Sequence, residues 1–233
     1  MEGVARQLVQ LAAGSEPMLF SLHDLQDPSW GSLVEVPYYF WAIEHPAGRV
    51  LVDCGAHPSL ISAPQRDAVS RLAEIGVRPA DISHVVLTHL HYDNCGGLEL
   101  FPDATVHVQA AEMVFAELPP PYQASAYMRP DWAGVRSWNE VRGEHDLFGD
   151  GAIVMFPTPG HTPGHQSVLV RLPDRVAILV GDAAFNPQRM AERRLPGYLW
   201  NPDAVVASWG ELERRRDLYD AELMFSHYPL EDD

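Results

Sequence analysis

Lysine is absent from this 233-residue chain, and its 16 basic residues are all arginine. That excludes Schiff-base chemistry and a lysine general base. Positive charge is scarce as well: against 32 aspartates and glutamates, the formal net charge is −16. Such a field repels nucleic acid and anionic membrane surfaces, so neither is expected as a partner. Cysteine is nearly missing, with only Cys54 and Cys95 and no CxxC pair. A disulfide framework is unsupported, and reduced thiols in a cytoplasm are the expectation. No apolar run approaches the length of a membrane span. Residues 1–13 carry Glu2 and lack a basic start before an unbroken apolar core, so no signal peptide is expected. What remains is ordinary for a soluble enzyme: 46% hydrophobic residues, and chain enough for one domain over 1–233.

The chemistry concentrates in one string, Thr88-His89-Leu90-His91-Tyr92-Asp93-Asn94-Cys95-Gly96-Gly97. The apolar run Ile82 to Leu87 before it reads as a buried strand. That strand delivers His89, His91 and Asp93 into one tight turn, and Gly96-Gly97 lets the chain bend away. Two imidazoles and a carboxylate within five residues suit a borderline-soft divalent metal such as zinc.

The string resembles the HxHxDH signature of the metallo-β-lactamase superfamily, most closely its N-acyl-homoserine-lactonase-like branch. The sixth position, histidine in the family, is Asn94 here. Later stretches extend the resemblance. Pro157 to His165 is similar to the TPGHTPGH motif; His161 matches its metal-binding histidine and His165 the second, usually structural, one. Asp182 in Gly181-Asp182 matches the bridging aspartate, and His227 matches the final metal histidine. Leu51-Val52-Asp53-Cys54-Gly55 is similar to LVDxG strings, whose aspartate hydrogen-bonds a ligand histidine from behind.

The resemblance implies an α/β fold, the αββα sandwich, as a single domain. It implies one site from His89, His91 and His161, and a second from Asp93, His227 and Asn94, with Asp182 bridging. Asp93 and Asp182 are the expected catalytic carboxylates. The implied cofactor is Zn2+, one or two per chain, with the second site weakened by Asn94 and with iron or manganese as alternatives. The implied reaction is hydrolysis of a small-molecule lactone or ester by a hydroxide held on the metal. Alternatives on the same fold are a thioester hydrolase, a biosynthetic ring-opening or ring-closing metalloenzyme, and a metal-poor binding protein. Asp182 argues against the β-lactamases that use a cysteine at that station, and the extra C-terminal helices of glyoxalase II are not expected after His227. Homoserine lactonases carry a tyrosine three residues after the bridging aspartate. Phe185 stands there, with Tyr198 or Tyr228 as candidate substitutes. A monomer or homodimer acting on a small molecule is expected.

The rest of the chain reads as scaffold. Met18–Leu22 is an expected strand, and a hairpin joins Val34–Ile43 to Val50–Val52. Ser62-Ala63-Pro64-Gln65 has the form of a capping box before a helix through Ala68, Val69, Leu72 and Ile75. Further strands are expected at 105–108, 153–156, 167–172, 176–180 and 223–227, and a helix opens at Asn201-Pro202. Residues 119–139 are too proline-rich for an ordinary helix and too aromatic for a linker. They read either as a substrate-side lid or as a packed structural loop. His145 reads as a surface histidine.

Overall fold

In the computed structural model the described residues are 3–19, 22, 24–26, 28–29, 31–61 and 67–228. Two sheets lie face to face. The first has six strands in chain order: β1 (Gln7–Leu19), β2 (Leu33–His45), β3 (Gly48–Val52), β4 (Ile82–Val86), β5 (Thr105–Gln109) and β6 (Trp138–Val141). The second has five, β7 (His145–Asp146), β8 (Ile153–Pro157), β9 (Gln166–Arg171), β10 (Val176–Gly181) and β11 (Ala221–Phe225), with β11 beside β10. Among the described residues, six α-helical segments join them: α1 (Ala68–Glu74), α2 (Tyr92–Cys95), α3 (Ala110–Glu117), α4 (Pro130–Ala133), α5 (Pro187–Ala191) and α6 (Pro202–Tyr219).

The strands bury both faces, which is why they read as continuous apolar runs. Val50, Val52 and Val86 point inward against Ile153, Met155, Val168, Val170 and Leu179 of the facing sheet. Their alternates Leu51, Val85 and Leu87 point outward and pack with Leu72 of α1 and Ala116 of α3. On the other side Leu169, Ile178 and Val180 meet Val205, Trp209 and Leu212 of α6. This is the expected sandwich of helix, sheet, sheet and helix.

One sequence expectation changes. The early strand is far longer than Met18–Leu22: β1 runs from Gln7 to Leu19 and pairs with β2 along its length, with a register shift between Ala12 and Ser15. Its first half mixes polar residues among the apolar ones because it is an edge strand. The capping box at 62–65 lies outside the described residues. The helix instead opens at Asp67, whose Oδ1 accepts the Ser70 N–H at 2.7 Å. As expected, α6 is capped by Asn201, whose Oδ1 accepts from the Ala204 N–H at 3.0 Å, with Pro202 first.

Strand direction places the chemistry. β3 and β4 are parallel, as are β10 and β11, and two antiparallel steps make β8 run with β10. Asp53, His89, His161, Asp182 and His227 each follow the C-terminal end of one of these five strands. One rim of the sandwich therefore receives them all.

Candidate metal centre

The first motif leaves β4 with the Leu87 N–H bonded to the His107 carbonyl, and turns at Thr88. Asp53, fully buried, sits behind that turn in the left-handed region at φ 58°. A non-glycine residue there costs about 1 kcal/mol, so the surroundings must hold it. They do: Asp53 accepts the Thr88 N–H at 2.8 Å, the Thr88 hydroxyl at 2.9 Å and the Asn94 amide N–H at 3.1 Å. Among the described residues Asp53 thus hydrogen-bonds no histidine, which corrects the expectation. Thr88 relays instead. Having donated its one proton to Asp53, the hydroxyl accepts from His89 Nδ1–H at 3.0 Å.

Gly96 and Gly97 serve a different purpose from a bend. Neither has positive φ. A Cβ on Gly96 would lie 2.4 Å from the His57 nitrogen, and one on Gly97 would lie 2.4 Å from the Cys54 carbonyl oxygen. The glycines let α2 lie against the segment after β3. Two buried thiols pin the same place: Cys54 Sγ–H reaches the Asn94 carbonyl at 3.3 Å, and Cys95 Sγ–H the Leu90 carbonyl at 3.5 Å. Burial pushes both thiols well above their ordinary range.

The other loops bring the remaining groups. His161 Nδ1–H donates to the Tyr198 carbonyl at 3.1 Å, and His227 Nδ1–H to the Pro37 carbonyl at 3.0 Å. In the neutral rings both Nε2 atoms therefore turn lone pairs to the centre. His165 is structural: its Nε2 accepts the Asp182 N–H at 2.9 Å and holds the aspartate in place. Asp182 Oδ1 accepts from the Ser226 hydroxyl at 2.8 Å, which leaves Oδ2 facing inward.

Two sets of inward atoms result. His89 Nε2 lies 2.9 Å, and His161 Nε2 3.0 Å, from His91 Nδ1. Asp93, Asp182 and His227 form the second set, with facing atoms within 4.8 Å of one another. Asp182 Oδ2 stands between the sets, 3.2 Å from His227, 3.5 Å from His161 and 4.0 Å from His89. Asn94 belongs to neither set. Its Nδ2 is spent on Asp53, and its Oδ1 is buried without a hydrogen-bond partner.

The nitrogen set fits a divalent metal. With Nδ1–H of His89 and His161 donated outward, three ring nitrogens converge with no shared donor pattern to satisfy them all. In a tetrahedral site with metal–nitrogen bonds of about 2.0–2.1 Å, ligand atoms lie roughly 3.3 Å apart. Burial, and for His89 and His91 the neighbouring histidines, hold these imidazoles below their ordinary range, which keeps them neutral ligands. Charge balance points the same way. Burial and then Asp182 push Asp93 up to about 7, and burial pushes Asp53 to about 7 despite its hydrogen bonds. Burial would lower His227, but Asp182 and Asp93 overcome it and raise it to about 9. Asp182 is the exception: burial pushes it up, but His227, His89 and His161 hold it well below the usual carboxylate range. Asp53, Glu112 and Asp182 are buried and Asp93 is half-buried, and among the described residues no arginine pairs with any of them. The missing positive charge is what divalent cations supply.

Above the centre lies a cavity of about 260 Å³. Met18, Leu22, Ala126, Phe185 and Tyr198 make its apolar wall, with His91, Asp93, Asp182 and His227 at the floor. The Phe185 ring stands edge-on to His161 at 5.6 Å and to His227 at 5.1 Å. Of the two candidate phenols, Tyr198 lines the cavity, while Tyr228 packs with the α6 cluster. The segment 119–139 is packed wall rather than lid. Tyr127 and Trp132 are buried in the core, and Trp138 begins β6. Only Ser125 and Ala126 of that segment reach the cavity. His145, in β7, joins neither set. Sequence reasoning missed Glu112, Gln123, whose Nε2–H donates to the His161 carbonyl at 3.0 Å, and the β1 contribution of Met18. A fully buried glutamate on a short helix has no sequence signal that separates it from a solvated one.

Comparison with known proteins matches residues 34–227 to the metallo-β-lactamase superfamily. The N-acyl homoserine lactonase AttM of Agrobacterium fabrum (strain C58) is 33% identical over 223 residues, covering 85% of this chain and 84% of that protein. An N-acyl homoserine lactonase of a Bacillus species is 24% identical over 76% of each chain. Among solved structures, a quorum-quenching N-acyl homoserine lactone lactonase matches with a TM-score of 0.87 at 22% identity, over 97% of this chain and 94% of that one. AidC, a dizinc quorum-quenching lactonase, matches at 0.80 with 15% identity, over 99% and 90%. These structural matches are likenesses of fold.

Proposed function

This chain belongs to the metallo-β-lactamase superfamily, and from that premise we propose that it is a metal-dependent hydrolase opening a small-molecule lactone. The observation that carries the reading is the convergence of His89 Nε2, His91 Nδ1 and His161 Nε2 beneath an apolar cavity, with Asp182 Oδ2 between them and His227. His89, His91 and His161 would hold one ion. Asp93, His227 and the Asn94 amide oxygen would hold a second, with Asp182 shared. Zinc suits the nitrogen set, and the inward Asp93 and Asp182 carboxylates suit divalent cations in charge. When bound, such ions lower the pKa of water toward about 7 and polarise a carbonyl.

The chain's own groups do the rest. Hydrolysis adds water oxygen to the acyl carbon, breaks the ring C–O bond, and leaves the water proton on the departing alcohol oxygen. Asp93 and Asp182 are the carboxylates that would take that proton and return it. Met18, Leu22 and Phe185 offer an apolar bed for an acyl tail. The free, buried cysteines support a cytoplasmic setting, where a monomer or homodimer would meet diffusible substrate. Phe185 favours a second reading: it lacks the hydroxyl that homoserine lactonases carry there, so another ester, a thioester or a ring-forming reaction on the same centre remains in play.

The test is metal content per chain on protein purified without added metal, followed by a panel of N-acyl homoserine lactones, other lactones, aryl esters and thioesters. Ring opening of lactones at rates well above the other classes is expected. A metal-loaded chain that prefers thioesters would replace the lactone reading.

A further inference from the structure

Glu112 lies in the first turn of α3 with none of its surface exposed. It takes no part in either set of inward atoms. Yet its two oxygens collect four donors. Oε1 accepts the Leu90 N–H at 3.0 Å and the Tyr127 hydroxyl at 2.8 Å. Oε2 accepts the Thr162 hydroxyl at 2.6 Å and the Gly164 N–H at 3.2 Å. Leu90 separates His89 from His91, Thr162 follows His161, and Gly164 precedes His165. Tyr127 follows Ala126 of the cavity wall. One carboxylate therefore touches both histidine loops and the substrate wall, each within a residue of the groups that face the centre.

The contact is built in at the backbone as well. A Cβ on Gly164 would fall 2.1 Å from the Glu112 nitrogen and 2.4 Å from its Cα. Only glycine lets the His161 loop come this close to α3. A buried anion without a cationic partner is costly unless its lone pairs are filled. Here they are filled by groups from three separate segments, so the carboxylate is stable only while those segments keep their mutual positions. That is a means of preorganising a site with little tolerance for misplacement.

We propose that Glu112 is a positioning residue that fixes the His89–His91 loop against the His161 loop, and so sets the metal affinity of the nitrogen set. The inference rests on the metal-centre reading but not on the identity of the substrate.

Glu112→Gln tests it. The new amide must face one oxygen's pair of donors, either Leu90 N–H with Tyr127 or Gly164 N–H with Thr162. A hydroxyl can turn to accept from it, but a backbone N–H cannot, so one histidine loop loses its anchor. Stripped wild type and variant are titrated with Zn2+ against a competing chelator. The variant is expected to bind the tighter Zn2+ at least tenfold more weakly, and when loaded to lose kcat with KM nearly unchanged. A merely structural role would lower Tm equally with and without Zn2+ and leave the Zn2+ Kd alone; that result overturns the proposal. If Glu112→Gln does not fold, Thr162→Val removes a single donor on the His161 side. It should weaken Zn2+ about threefold, and an unchanged Kd overturns the proposal equally. A wild-type chain that binds no divalent metal overturns both this proposal and the hydrolase reading. Tight Zn2+ binding without lactone hydrolysis removes only the latter.

Discussion

The two halves of the centre are made differently. The nitrogen set is buried, with His91 and His161 at the cavity floor: His89, His91 and His161 are at most 2% exposed, and the outer nitrogens of His89 and His161 are committed to Thr88 and to the Tyr198 carbonyl. The oxygen set faces the cavity, has one imidazole, and depends on Asp182, which it shares. The first set fixes its ligands before any ion arrives. The second assembles carboxylates that repel one another, with Asp182 itself raising Asp93. Imidazole suits zinc, while carboxylate and amide oxygens suit harder ions such as manganese. One rim of one fold thus presents two grades of candidate site.

The largest expected effect is on the nitrogen half. His161→Ala removes one of three converging nitrogens and the tie to Tyr198. Metal content should fall below half an ion per chain, and lactone kcat/KM should drop at least about a thousandfold, or roughly 4 kcal/mol in transition-state stabilisation. Elemental analysis with single-substrate kinetics checks it. Full activity in metal-free His161→Ala protein would sink the hydrolase reading.

A smaller effect is expected at Asn94, where the contrast between the halves can be reversed. Wild-type protein should lose one ion to chelator well before the other. Asn94→His should tighten the weaker ion by about tenfold and keep or improve activity, as read by chelator titration. Two ions of equal, tight affinity in the wild type would show that the halves are not graded. Two ions in the variant with lost activity would show that Asn94 reads the substrate.

Much of this was legible because the ligands sit in short strings at strand ends. His89, His91 and Asp93 fall within five residues, and His161 within a nine-residue motif. Strand burial on both faces made the sandwich readable too. Glu112 was not legible, because its partners Leu90 and Gly164 lie 22 and 52 residues away. Nor was the role of 119–139. Its prolines and aromatics suit a lid or a wall equally, and the choice is made by Tyr127 and Trp132 finding a core to enter.

The smallest effect concerns pH in the metal-free protein. Asp53 and Asp93 near 7 and His227 near 9 lie above the ordinary values of 3.8 and 6.5. Folding therefore takes up protons at these groups. The stability they contribute is present at low pH and is lost as pH rises, across about 4 to 7 for the aspartates and about 6.5 to 9 for His227. Calorimetry should show Tm of stripped protein falling by several degrees from pH 6.5 to 9. Loaded protein should change less, since the ions replace those protons. Equal slopes in both forms would mean that the oxygen set holds no ion.

The two thiols give the metal loop a clock. Cys54 and Cys95 are shut away, and each is hydrogen-bonded to a carbonyl of the motif turn. A thiol reagent reaches them only when that turn swings open, and their reactivity counts those openings one molecule at a time. The labelling rate is then a measure of how often the empty turn breathes. Occupancy by an ion appears as a lengthened interval between breaths, with no probe added to the chain.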